Sequence, residues 1–277
     1  MSIGIESPHE MPAADCGDSA SPVVVPIDPN ALDVLWSDFR SALSELTVFG
    51  RLADPSRLSI GRTALFYPAI GLLIGIAVSL LDWVVRAFVA QEITSVLLVG
   101  ALALLSAGRQ LDGFATTADG LIGFRGREWA IATIRDRRLG SSGAAAIAFL
   151  LILKVRGLDL LSDPMRAVGV LLPPMIGRAA LVCLAYGSRA AGSDAEAAPF
   201  DPAIGLRELG GASIFVAVVT LALGGALGLL VLIVSGLVTL VLRFYLDRRL
   251  GGVTPQSLDA GAEILETVAL IVFALAS

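Results

Sequence analysis

Apolar residues gather along this chain in continuous runs rather than in alternation with polar ones. The runs cover roughly residues 66–88, 93–108, 143–161, 168–187, 212–225, 227–245 and 260–276. Crossing ~30 Å of hydrocarbon takes about 20 helical residues. The pattern therefore predicts seven transmembrane helices, or six if Gly224 and Gly225 do not divide the fifth run from the sixth. Ahead of them, residues 35–52 set Trp36, Phe39, Leu43 and Leu46 on one helical face, which predicts an amphipathic helix, either lying on the membrane surface or packed as an ordinary helix. Residues 1–34 are rich in Pro, Ser, Asp and Glu without apolar periodicity and read as a disordered tail. The PVVVPI stretch at 22–27 is too short and too bracketed by proline to be a signal peptide. The expected organisation is a tail, 1–34, followed by a membrane-embedded domain, 35–277. Its fold class is all-α, a polytopic integral membrane helical bundle.

Composition strengthens that reading. The 277 residues are 56% hydrophobic and 16% charged, with mean hydropathy +0.81, whereas soluble chains are about a quarter charged. Basic residues are scattered over loops without a stripe or interleaved aromatics, which argues against nucleic-acid binding. Cys16 and Cys183 do not make a disulfide framework. His9, the one histidine, lies in the tail, so no histidine chemistry can be built in the membrane domain. Arginines concentrate in alternate loops, including Arg40, Arg62, Arg109, Arg125, Arg207 and Arg248, while the opposite loops keep Arg86, Lys154, Arg156 and Arg166. By the positive-inside rule the N-terminus and the 109–142 loop are cytoplasmic and the C-terminus is on the far side. Arg in place of Lys, with abundant Ala and Gly, is associated with high-GC bacterial genomes, so the expected location is the bacterial inner membrane.

The stretch from Gln110 to Gly143 is polar and charged between greasy segments. Such charges are costly at a membrane boundary unless they bind something charged. Asp112 and Asp119 lie two helical turns apart, about 10.5 Å along a straight axis and too far to share one ion directly. Three solutions follow: Gly113 and Gly120 loosen the backbone, two ions are held, or another carboxylate lies between. The intermediate position holds Thr116. Simple capping and turn formation also accounts for Asp beside Gly. Further on, Arg135, Asp136, Arg137 and Arg138 precede Gly140-Ser141-Ser142-Gly143. A helix start of that kind offers backbone N–H groups to phosphate, and Arg grips phosphate oxygens in bidentate fashion. The same arginines also read as an orientation anchor. Together these acids and bases point to a divalent metal and phosphate.

These residues resemble the adenosylcobinamide-GDP ribazoletransferases, or cobalamin synthases. That family has HLDGLADTADG followed by MKDSRIGTFG; here the text is QLDGFATTADG from Gln110 to Gly120 and IRDRRLGSSG from Ile134 to Gly143. FYPAIGLLIG at 66–75, ALSELT at 42–47, PPMIGRAAL at 173–181 with Arg178, and RRLGGVT at 248–254 followed by AGAEILE at 260–266 extend the similarity over about residues 39–270. The resemblance implies that α-ribazole, or its 5′-phosphate, attacks the cobinamide-linked phosphoryl of adenosylcobinamide-GDP through a ribose hydroxyl, with GMP leaving. It implies Mg²⁺ as cofactor. Asp112 and Asp119 are assigned to Mg²⁺, Asp136 to Mg²⁺ or to orienting an Arg, and Asp112, Asp119, Asp136 and Arg138 form the expected catalytic set. Arg135, Arg138, Gly140 and Ser141 are expected to hold phosphates, with Arg178 reaching the substrate from within the membrane. Gln110, Thr116 and Pro255-Gln256 stand where the family has His, Asp and Gly-Asp, and Arg137 where it has Ser. A catalytically impaired, non-enzymatic homologue is one alternative. A CDP-alcohol phosphotransferase is the other, disfavoured by Arg109 and by Ala115-Thr116 where its motif needs Asp and Ala-Arg. A homo-oligomer is compatible with the sequence.

Overall fold

A computed structural model describes residues 31–49, 60–123, 125–136, 138–192 and 204–276. His9, Cys16, Arg137 and nearly all of the expected tail lie outside the described residues. Every element among the described residues is helical; the only strand-like pairing among them is an isolated bridge between Ala190 and Val253. The chain runs through α1 (Ala31–Leu46), α2 (Ile60–Thr63), a 3-10 turn (Ala64–Phe66), α3 (Tyr67–Val85), α4 (Gln91–Leu105) and α5 (Arg109–Ile122). It continues through α6 (Arg127–Asp136), α7 (Ser141–Leu160), α8 (Asp163–Ala185), α9 (Leu206–Leu250) and α10 (Pro255–Leu275).

Several boundaries differ from expectation. Helix α1 begins at Ala31, inside the predicted tail, and stops at Leu46 rather than 52. It packs on the 3-10 turn and α3 through Leu46, which is buried, and through Phe39, which stacks on Trp36 and meets Phe66 edge-on. The 109–142 segment is mostly helix, because α5 and α6 pack against each other and against α10 and α7 instead of running free. Ala107 and Gly108 adopt left-handed φ of 55° and 67°, and this elbow sets α5 at 90° to α4.

All seven apolar runs are helical, and the sixth does separate from the fifth. Gly225 takes φ 53°, ψ −131°, which no helix accommodates. A Cβ on Gly228 would collide with the Thr220 carbonyl, although eight residues of straight helix span about 12 Å. Helix α9 is thus folded back on itself as two arms, 206–224 and 226–250. Trp83, Phe88, Leu104, Phe149, Ile214 and Leu240 are all more than half exposed, as lipid-facing side chains are. By length and hydropathy, three helices among the described residues can cross a membrane (Gly61–Val85, Asp163–Ala185 and Leu206–Leu250), or four if α4 and α5 form one bent span. That is fewer than the six or seven expected. The two arms of α9 count once, and α10 carries Asp259, Glu263 and Glu266 within an otherwise apolar helix.

Those acids are paired. Lys154 on α7 donates to Glu263 at 2.5 Å and to Glu266 at 2.7 Å, and Arg178 on α8 donates to the other oxygen of Glu266. Near the start of α8, Arg166 binds Asp82 of α3 in a fork, with N···O distances of 2.8–3.1 Å, and also donates to the Leu158 carbonyl. The embedded charge is therefore richer than the sequence suggested, and it ties four helices together.

Candidate functional site

Helix α5 organises the site because it can lie against three neighbours at once. A Cβ on Gly113 would come within 2.6 Å of the Asp259 Cβ and 2.9 Å of the Gln256 carbonyl, so α10 rests directly on the α5 backbone there. A Cβ on Gly120 would come within 2.6 Å of Ile134 and 2.8 Å of the Ala130 carbonyl, the corresponding contact with α6. The glycines beside the two aspartates are close-approach points in an unbroken helix and do not loosen it. Thr254 caps α10 in a reciprocal box: its hydroxyl accepts from the Ser257 N–H, and its own N–H donates to the Ser257 hydroxyl.

Asp112 and Asp119 consequently face two different cavities. The first, about 240 Å³, has a polar end built by Glu45, Tyr67, Arg109, Asp112 and Asp259, and apolar walls that include Leu46, Leu181, Ile204 and Leu258. The second is broader, about 630 Å³, and brings together Asp119, Arg125, Asp136, Arg138, Gly140 and Ser141 with Thr133 and Ser142. The Asp112 carboxylate is exposed and has no hydrogen bond or ion pair with a described residue. Asp119 is buried, and its two oxygens accept from the Gly140 and Gly143 N–H groups, each at 2.7 Å. An acid from α5 thus caps the start of α7, where the helix dipole favours negative charge. Two of the N–H groups expected to meet phosphate are spent on Asp119. Asp136 and Arg138 form an exposed pair at 3.5 Å.

Other expected residues lie elsewhere. Arg178 is 1% exposed, bound to Glu266 and the Pro174 carbonyl, and lines neither cavity. Arg135 donates to the Ala191 carbonyl at 3.2 Å. Sequence reasoning missed Glu45, Tyr67, Arg109 and Asp259. The signal that was available is on α10: Asp259, Glu263 and Glu266 recur at i, i+4 and i+7, a single helical face, where charge is costly in an apolar run.

Metal ligation divides in the same way. Asp112, Asp119 and Asp136 do not converge, and no three acid, His or Cys side chains among the described residues are grouped to hold an ion alone. Mg²⁺, however, is commonly bound by one or two carboxylates together with substrate phosphates. The Asp112 cavity fits that pattern: Asp112 and Asp259 line it, as does Gln256, whose buried side-chain oxygen has no partner. Gln110, 2% exposed with both amide atoms unpartnered, lies two residues before Asp112 on α5. Thr116 offers nothing to an ion, since its buried hydroxyl bonds back to the Asp112 and Gly113 carbonyls at 3.0 and 3.2 Å. Replacing it with Asp buries a charge with no donor, so Thr116→Asp should melt roughly 2 kcal/mol less stable than the parent and leave the Mg²⁺ dependence of activity no tighter. A Mg²⁺ titration beside a thermal melt in detergent decides this.

A family model described as Cobalamin-5-phosphate synthase matches residues 38–274. The chain belongs to that family. Relatives span nearly the whole fold of this cobalamin synthase homologue. The adenosylcobinamide-GDP ribazoletransferase of Pseudomonas fluorescens strain Pf-5 is 35% identical over 229 residues, 80% of this chain and 91% of the relative. The protein of the same name from Klebsiella pneumoniae strain 342 is 32% identical over 84% of this chain and 98% of its own length. That of Thermoanaerobacter pseudethanolicus is 30% identical over 79% and 89%. No solved structure matches the chain.

Proposed function

We propose that this chain is an adenosylcobinamide-GDP ribazoletransferase of the bacterial inner membrane. It joins α-ribazole, or its 5′-phosphate, to adenosylcobinamide-GDP and releases GMP. The observation that carries the reading is the family match across residues 38–274, supported by relatives of that name aligned over about nine-tenths of their length.

The chemistry is a phosphoryl transfer, in which positioning and charge neutralisation do most of the work. Asp112 would hold Mg²⁺, which would supply the positive charge that the pyrophosphate requires. Asp259, 3.8 Å from Arg109, sets the guanidinium at the mouth of the same cavity, where it can meet phosphate oxygens. Arg125 and Arg138 on the second cavity are available to the nucleotide, with Ser141 and Ser142 as hydrogen-bond donors beside them. Asp119 acts by holding the start of α7 in place so that these groups keep their aim. Providing the gene to a bacterium that lacks its own ribazoletransferase should restore cobinamide-dependent growth; absence of rescue by a well-expressed protein counts against the reading.

The arginine asymmetry supports a topology with α6 in the cytoplasm. In a variant with both cysteines replaced, Glu128→Cys should resist an impermeant thiol reagent in intact cells, while Phe88→Cys reacts. The opposite pattern overturns the orientation.

A further inference from the structure

Glu45 lies within the ALSELT segment and was given no role there, yet it occupies the polar end of the Asp112 cavity. It sits on the penultimate residue of α1, and its carboxylate accepts a hydrogen bond from the Tyr67 hydroxyl at 2.6 Å. Tyr67 opens α3 and is almost fully buried, so it cannot follow solvent, and it fixes one oxygen of Glu45 in place. Among the described residues the cavity then offers three acidic side chains, Glu45, Asp112 and Asp259, against one lining cation, Arg109. That balance disfavours a ligand that brings several phosphates without cations of its own. The second cavity, with Arg125 and Arg138, suits such a ligand better. The first suits a ligand with an apolar body and a hydroxyl-bearing end. Its walls are Leu46, Leu181, Ala185, Ile204 and Leu258, side chains that pack on a flat aromatic ring.

We infer that Glu45, positioned by Tyr67, receives the hydroxyl of the nucleoside acceptor and takes its proton during transfer. The inference rests on the transferase reading above. The ribose O–H bond breaks and its proton passes to the Glu45 carboxylate. The freed oxygen forms the new bond to the cobinamide-linked phosphorus, and the bond from that phosphorus to the GMP phosphate oxygen breaks, its electron pair leaving with GMP. Glu45 then returns the proton to water. A carboxylate already held at one oxygen presents the other without reordering, which is the geometry a general base needs. Tyr67 is a positioning residue: it touches Glu45 and not the reacting atoms.

Full-length protein in detergent with Mg²⁺ tests both layers separately. Wild type must release GMP from adenosylcobinamide-GDP when α-ribazole is added; failure here removes the transferase reading. Calorimetric binding of α-ribazole alone does not need turnover. Wild type should bind it about tenfold more tightly than the analogue whose ribose hydroxyls are replaced by hydrogen, as expected for a hydrogen bond to a charged group. Glu45→Ala should erase that preference. In the kinetic arm, Glu45→Gln should lower kcat about a hundredfold while the KM for α-ribazole moves less than about threefold, since general bases contribute on that scale to the chemical step. Tyr67→Phe should give a smaller fall in kcat, about tenfold, with Mg²⁺ dependence unchanged. Equal binding of nucleoside and analogue by wild type overturns the inference, as does wild-type kcat in Glu45→Gln. A melting temperature lowered in both variants with kcat retained identifies the pair as a mere tie between α1 and α3.

Discussion

Asp112→Asn lowers kcat/KM for transfer by about a thousandfold, close to 4 kcal/mol of transition-state stabilisation, and leaves the melting temperature where it was. The two halves of this expectation come from one fact. Asp112 is exposed on the cavity side of α5 and its carboxylate has no hydrogen bond or ion pair with a described residue, so the fold asks nothing of its charge. An amide of the same shape keeps the helix and removes the negative oxygen proposed to hold Mg²⁺. Cys183→Ala is the control. Cys183 lies on α8, half-buried and free, and lines neither cavity, so its replacement should leave turnover near wild type. Initial rates of GMP release for the three proteins, beside thermal melts in the same detergent, test the pair. An Asp112→Asn enzyme with near-normal rates takes Asp112 out of the chemistry; an equal loss in Cys183→Ala means that rate here follows general stability.

The largest effect on stability belongs to Glu266. It accepts from Lys154 at 2.7 Å and from Arg178, and its side chain is almost wholly buried. Glu266→Ala leaves Arg178 without its carboxylate and Lys154 with Glu263 alone, so two buried cations share one anion. Breaking a buried pair from one side costs about 3–5 kcal/mol. Removing both members of a pair should cost far less: in Lys154→Met with Glu263→Leu, Arg178 keeps Glu266 and no charge is stranded, so the double variant should melt within about 1 kcal/mol of wild type. Thermal melts of the two variants should therefore differ widely, although the second changes more atoms. Similar melting temperatures would mean that the cluster is hydrated and its charges are independent.

Much of the architecture was legible because hydropathy and glycine placement report on local geometry. Each apolar run is helical, and the Gly224-Gly225 division coincides with the Gly225 turn. The polar stretch after Arg109 misleads for a physical reason. Mixed polarity reads as a loop, but α5 buries Thr116, Thr117 and Asp119 against other helices, and its glycines serve close packing. Partnerships were the harder part. Asp119 meets Gly140 and Gly143 more than twenty residues on, Glu45 meets Tyr67 across 22 residues, and Lys154 meets Glu263 across 109. Periodicity tells which face of a helix is buried, not which other helix will lie on it. That is why Asp112 and Asp119, equivalent on one stripe, have different work: one stays open to a cavity and the other is consumed at a helix start. Arg178, suspect because it is a cation in an apolar span, turns out to be accounted for by Glu266.

The folded-back α9 has an implication for how this protein changes over time. The residues flanking it are stitched together: the Val253 N–H donates to the Arg189 carbonyl at 2.8 Å, and the Ala191 N–H donates to the Val253 carbonyl at 2.9 Å. Departure and return therefore occur at one address, and the two arms form a detour with even parity. Arms can lengthen to suit a thicker bilayer, shorten, or drift in sequence as a pair without reversing the side from which α10 enters. The inner faces of the arms, with Ala212, Val216, Thr220 and Val231 buried, stay tied to their neighbours, while the lipid-facing sides of the detour carry no such constraint.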